Sequence, residues 1–159
     1  MSVETVPMTQ EGFDRISKEL EQLKTKERPK IIQEIAEARS HGDLKENAEY
    51  HAAREKQGMI EARIALLEDR VARAEVFKPT GEQCTMVKFG VYVTIQDEDS
   101  GDKKRYQIVG ELESDLSAGR ISLNSPIAKA LMGRKLDDSV EIQVPKGLRE
   151  FLITAISET

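Results

Sequence analysis

An antiparallel helical hairpin followed by an α+β domain is the fold that three observations in this sequence predict. Apolar residues recur at spacings of three and four, at Phe13, Ile16, Leu20 and Leu23 and again at Ile60, Ile64, Leu67, Val71 and Ala74. Such spacing marks the seam of paired helices. Between the two runs lies HGDLKENAEY, residues 41–50, a short acidic stretch in which Gly42 and Asp43 reverse the chain. Beyond Lys78, Pro79, Thr80 and Gly81 the period changes from helical to alternating, as it does where strands begin. The expected boundaries are therefore 1–78 for the hairpin domain and 79–159 for the second.

The length of 159 residues has room for these two domains. Charged residues make up 33% and Trp is absent, which suits a helix-rich polar surface better than a large aromatic core. No stretch is apolar enough to span a membrane, and no basic segment followed by an apolar run opens the chain, so a cytoplasmic protein is expected. A single cysteine, Cys84, forms no internal disulfide and lacks metal-ligand spacing, which points to a buried, inert thiol. The net charge of −5 divides into −2 up to Lys78 (14 basic and 16 acidic residues) and −3 from Pro79 onward (10 and 13). Acids are interspersed with bases in both halves, unlike the one-sided basic face that nonspecific duplex binding needs.

In chain order, Thr9 is the N-cap of a first helix whose opening turn holds Gly12, and the seam is clear from Phe13. The step from Leu20 to Ile31 interrupts the heptad, and Pro29 lies within it, so a kink near Arg28 is expected before helix resumes in Ile31 to Arg39. Gly42 ends this arm and Asp43 caps the second, which runs from Leu44 to about Ala74. Its tip-proximal half offers Ala48, Ala52 and Ala53 where the base offers Ile60, Ile64, Leu67 and Val71. The base should therefore be the firmer end.

In the second domain, Val87 to Ile95 reads as a strand interrupted at Gly90, turning at Asp97 to Asp102 and returning over Arg105 to Val109. Ile121 to Leu123 makes a short strand. Pro126 opens a helix through Leu131 that Gly133 ends. Two alternating runs, Val140 to Val144 and Phe151 to Ala155, complete a small antiparallel sheet with one helix.

The acidic tip has two readings. Asp43 with Glu46 three residues later matches a capping box, and both acids favour a helix's positive end. Capping does not explain why the acids occupy the far end of two long arms. Paired carboxylates also suit Mg²⁺, which needs near-octahedral oxygen ligation, so two acids on an open turn need further ligands from elsewhere. A tip that enters a cavity holding one metal and a nucleic-acid phosphate could retain a second metal, orient a water, and so complete another protein's active site. His41 and His51 lack helical ligand spacing and fit surface or cap roles. Lys24, Lys26, Arg28 and Lys30 read as a solvated face. Arg39 and Arg54 flank the acids and either meet a phosphate or pair with a Glu of their own helix. Tyr50 either stacks on a base or packs against the opposite arm.

The stretch HGDLKENAEYHAAREKQG, the preceding RPKIIQEIAEARS, and ISLNSPIAKALMGRKLDD in the second domain resemble the bacterial transcript-cleavage factors of the Gre family over nearly the whole chain. The sparse cations of AEYHAAREKQG favour the GreA type over the more basic GreB type. The resemblance implies an N-terminal antiparallel coiled coil, whose tip inserts into the secondary channel of RNA polymerase, and a C-terminal domain of FKBP-like fold that docks near the channel rim. It implies that Asp43 and Glu46 help hold a Mg²⁺ shared with the polymerase and activate water for cleavage of the backtracked RNA 3′ end. The chain would then be no enzyme by itself, but would rescue arrested complexes by stimulating the polymerase. Asn124, Ser125, Pro126 and Ile127 match the polymerase-docking region. A monomer without membrane association is expected. The alternative is a noncleaving regulator that only occupies the channel. Prolyl isomerase activity does not follow from the fold, and the aromatic-poor second domain shows no evident apolar substrate pocket.

Overall fold

The computed structural model describes residues 4–159. They form two compact units, a helical one over Phe13–Ala74 and a second that joins Thr5–Gly12 to Glu75–Thr159.

In the helical unit, α1 (Gln10–Gln22) passes through a π-helical turn (Leu23–Glu27) into α2 (Arg28–Arg39), and the chain returns as α3 (Ala48–Arg73). At about 1.5 Å per residue, α3 is roughly 39 Å long. The helical break lies upstream of the kink expected near Arg28. Pro29 has no N–H for the carbonyl four residues back, and the chain responds by widening, with the Arg28 N–H donating to the Leu23 carbonyl. Proline then occupies the first turn of α2, where its missing donor costs nothing. The seam survives the irregularity. Leu20 before it, Leu23 at its start and Ile31 and Ile35 after it share one apolar cluster with Ala53, Ile60 and Ile64.

Forked ion pairs mark the register of the arms. Arg28 reaches both carboxylate oxygens of Glu61 at 2.8 and 2.9 Å, and Arg63 those of Glu19 at 2.8 and 3.0 Å. Hydrogen bonding to the guanidinium holds each of these two carboxyls below its ordinary pKa.

The division between the units differs from a single cut at Pro79. Residues following α3 form a strand, β2 (Ala74–Phe77), that pairs with β1 (Val6–Thr9) as a two-stranded ribbon. Thr9 caps α1, accepting the Gly12 N–H at 3.1 Å. Its own N–H and hydroxyl donate to the buried carboxylate of Glu113, which also takes the Gly110 N–H at 2.9 Å. Gly12 lies so close to that carboxylate that a Cβ there would overlap it. Four-residue strands carry too few side chains to display a period, which is why this ribbon left no trace in the apolar pattern.

The main sheet of the second unit has the order β5-β4-β3-β7-β6, from β3 (Tyr92–Asp97), β4 (Lys103–Val109), β5 (Arg120–Ser122), β6 (Ser139–Val144) and β7 (Gly147–Ser157). It is mixed, contrary to the antiparallel expectation: β5 runs parallel to β4. Two 3₁₀ turns, Glu111–Glu113 and Leu116–Ala118, carry the chain back before β5 begins. Val93, Ile95, Ile108, Val140, Ile142 and Ile153 form the core with Ala128 and Leu131 of α4 (Pro126–Leu131). The strand expected from Val87 starts only at Tyr92. Gly90 has a φ of +87°, and a Cβ there would meet the ring of Phe77. Cys84 is half-buried against the same core.

Asp97, 5% exposed, closes β3 by accepting the N–H groups of Asp99 at 2.8 Å and Ser100 at 3.2 Å and the Arg149 guanidinium at 2.6 Å. These donors, the Asp99 N–H foremost, hold its carboxyl below the usual range against the opposing effect of burial. A depressed folded-state pKa contributes stability above the unfolded titration and loses it as pH falls through the folded value. Denaturant midpoints measured from neutral pH to below about pH 4 should therefore drop in the wild type, and Asp97→Asn should flatten that acid limb while lowering the neutral midpoint.

Candidate metal-binding tip

Residues 40–47 connect α2 to α3. The end of α2 is closed by Ser40, whose N–H and hydroxyl donate to the Glu37 carbonyl, and by the His41 N–H donating to Ala38 O at 3.2 Å. Gly42, at φ +121°, then takes the chain through a conformation that other residues rarely adopt.

Asp43 is not the cap of the second arm. Leu44 to Glu46 remain in the turn and α3 begins at Ala48, capped by Asn47. The Asn47 Oδ1 accepts the Tyr50 N–H at 3.0 Å, and its Nδ2 donates to Ala38 O across the hairpin at 2.6 Å. An aspartate at position 47 could supply the acceptor but no donor. The capping-box reading of Asp43 and Glu46 thereby falls.

Asp43 instead closes a turn of its own, its Oδ1 accepting the Lys45 N–H at 3.0 Å. The Lys45 carbonyl lies 3.0 Å from His51 Nε2. Glu46 makes no hydrogen bond or ion pair with any described residue. Both acids are exposed, and they line one open hollow together with His41, Asn47, Ala48 and Glu49. Their hard oxygens suit Mg²⁺: one oxygen of Asp43 and both of Glu46 stay uncommitted to the protein. Two carboxylates fall short of an octahedral set, so other ligands must come from outside the chain.

The remaining residues singled out in the sequence are spread around this turn and elsewhere. Arg39 lies 5.8 Å from the centre of the Tyr50 ring, and Tyr50 is half-buried against the apolar seam. Arg54 is exposed on α3 without an ion pair to any described residue. In the second unit, Ser125 caps α4 by accepting the Ala128 N–H at 3.2 Å, and Asn124 Nδ2 donates to Glu111 at 2.7 Å. Pro126 is exposed at the start of α4, while Ile127 packs on the core. The same unit does hold an apolar hollow, of about 310 Å³, floored by Ile95, Val144 and Phe151 beside the Asp97–Arg149 pair. Its walls come from strands far apart in sequence. Asn47 is the residue that the sequence reading passed over, although Asn rivals Asp as an N-cap.

Fold and tip together define a two-unit factor with an acid-bearing helical turn and a separate sheet domain, and comparison with known proteins gives that class a name. Residues 6–76 match the N-terminal domain of GreA/GreB transcription elongation factors and residues 82–158 the C-terminal domain. The chain belongs to this family. It is 54% identical over 157 residues to the transcription elongation factor GreA of Phenylobacterium zucineum, covering 97% of this chain and 98% of that one. The GreA of Agrobacterium fabrum is 53% identical over 154 residues, again across 97% and 98%. Among solved structures, the GreA factor homolog 1 protein of Thermus thermophilus is 32% identical, with 96% of this chain and 99% of that one covered at a TM-score of 0.42.

Because neither acid caps α3, Glu46→Ala should leave thermal unfolding within about 0.5 kcal/mol of wild type. Asn47→Ala should destabilise by about 0.5–2 kcal/mol. Circular dichroism melts of the three proteins check the contrast, and a larger loss in Glu46→Ala would restore a capping role to that acid.

Proposed function

We propose that this chain is an elongation factor that inserts the 40–47 turn into the secondary channel of RNA polymerase and stimulates Mg²⁺-dependent cleavage of backtracked RNA 3′ ends. The observation that carries the reading is the pair of exposed carboxylates, Asp43 and Glu46, lining one hollow in the connection between two helices of a GreA/GreB-family chain. The polymerase is the enzyme and the factor completes its site. Bound between these acids and groups of the polymerase, Mg²⁺ would supply Lewis acidity toward the RNA phosphate and lower the pKa of an attacking water. The chain's own part is to bring two anionic oxygen donors to the metal, with Arg39 and Arg54 available to the RNA backbone. Tyr50 keeps an aromatic edge beside them, its ring otherwise held against the seam.

The second unit is the anchor in this reading. Asn124, Ser125, Pro126 and Ile127 form the N-terminal edge of α4, where Ser125 and the hydrogen bond from Asn124 to Glu111 fix the backbone and leave Pro126 exposed. The factor acts as a monomer in the cytoplasm, and no described helix is long and apolar enough to cross a membrane.

Added with Mg²⁺ to a purified backtracked elongation complex, the chain should release short 3′ RNA fragments. Asp43→Asn with Glu46→Gln should slow that release by at least about tenfold while competing normally for polymerase. A double variant that binds and cleaves like wild type would leave only the noncleaving, channel-occupying role. Pro126→Asp should weaken polymerase binding in a competition assay without changing the melt of the helical unit, and unchanged binding would move the docking surface elsewhere.

A further inference from the structure

A cap needs only an acceptor, and Ser, Thr or Asp would serve as well as Asn. Asn47 does more, because a carboxamide presents a donor and an acceptor from one side chain. Its acceptor satisfies the first turn of α3 at Tyr50 N, while its donor satisfies the last turn of α2 at Ala38 O, nine residues earlier. The half-buried amide therefore ties the two strands of the loop's neck together. Inside the neck, the Lys45 peptides are held on both sides, the N–H by Asp43 and the carbonyl by His51. Lys45 stands between the two acids in the chain, and its N–H is the group that Asp43 holds. The apolar seam gives little help here, since Ala38 and Ala53 are the buried side chains nearest the turn.

We propose that Asn47 is a positioning residue for Asp43 and Glu46, its bridge from Ala38 to Tyr50 fixing the width of the turn that presents them. The inference rests on the cleavage reading for its functional arm only, since the bridge itself is measurable in the free protein.

The test uses the full chain with Asn47→Asp and Asn47→Ser, both of which keep an N-cap acceptor and lose the bridging amide. Melting temperatures should stay close to wild type. Backbone order parameters at Lys45 and Glu46, from ¹⁵N relaxation, should fall below about 0.6 from a value near that of rigid backbone, about 0.85. In the backtracked-complex assay, the Mg²⁺ concentration for half-maximal cleavage should rise about fivefold or more, with polymerase competition unchanged. The aspartate variant discriminates by sign. An added carboxylate beside the hollow would lower the Mg²⁺ requirement if charge were all that mattered, whereas a lost bridge raises it. Unchanged order parameters in both variants, or an unchanged or lowered Mg²⁺ requirement in Asn47→Asp, would overturn the proposal. If the wild type itself stimulated no cleavage, the proposed function would fall, and the relaxation data would still decide whether Asn47 holds the turn.

Discussion

Two helices that end side by side leave unpaired carbonyls on one and unpaired N–H groups on the other, and the tip of this hairpin is built around that shortage. The last turn of α2 and the first turn of α3 meet where large apolar side chains have given way to alanine. Packing there supplies little, so hydrogen bonds must define the geometry. Ser40 and the His41 N–H close one end, and Asn47 closes the other while reaching across. The acids are free for a ligand because other residues meet these backbone needs.

How far the sequence revealed the molecule depends on how each feature is encoded. Both arms were legible because Ile31, Ile35, Ile60, Ile64 and Leu67 repeat at helical spacing over many turns, and all five are buried. The core strands were legible for the same reason at period two, with Val93, Ile95, Val140 and Ile142 facing inward. Choices made by one or a few side chains were not. Asp43 and Asn47 are comparable N-caps in isolation, and only the Ala38 carbonyl, brought near by the fold, selects the residue that can donate. The parallel pairing of β5 depends on a connection whose 3₁₀ turns have no periodic signature. The proline was read correctly as an interruption, but its effect falls upstream, at the carbonyls its ring leaves without a donor.

At the candidate site, the exposure of the two acids on the turn was legible and their setting was not. Asp43 bonds within the turn, and Glu46 bonds to nothing described. Closure of the helix ends therefore rests on neighbours, while Asp43 shares in holding the turn.

The contact of Thr9 with Glu113 joins residues 104 apart in the chain, whereas β1 pairs with β2, the strand that directly follows α3, and this sets an order of events during synthesis. The helical arms are complete once Arg73 has emerged, and their contacts are comparatively local, so they fold early. The segment Val6–Thr9 can pair with β2 as soon as Phe77 has been made, whereas the carboxylate partner of Thr9 follows it on the order of 5–20 s later at about 5–20 residues per second. Through that interval the Thr9 N–H and hydroxyl lack their native acceptor. The strand β1 is thus held in two stages, first by a partner next to the helical arms and then by a carboxylate that arrives only with the sheet domain.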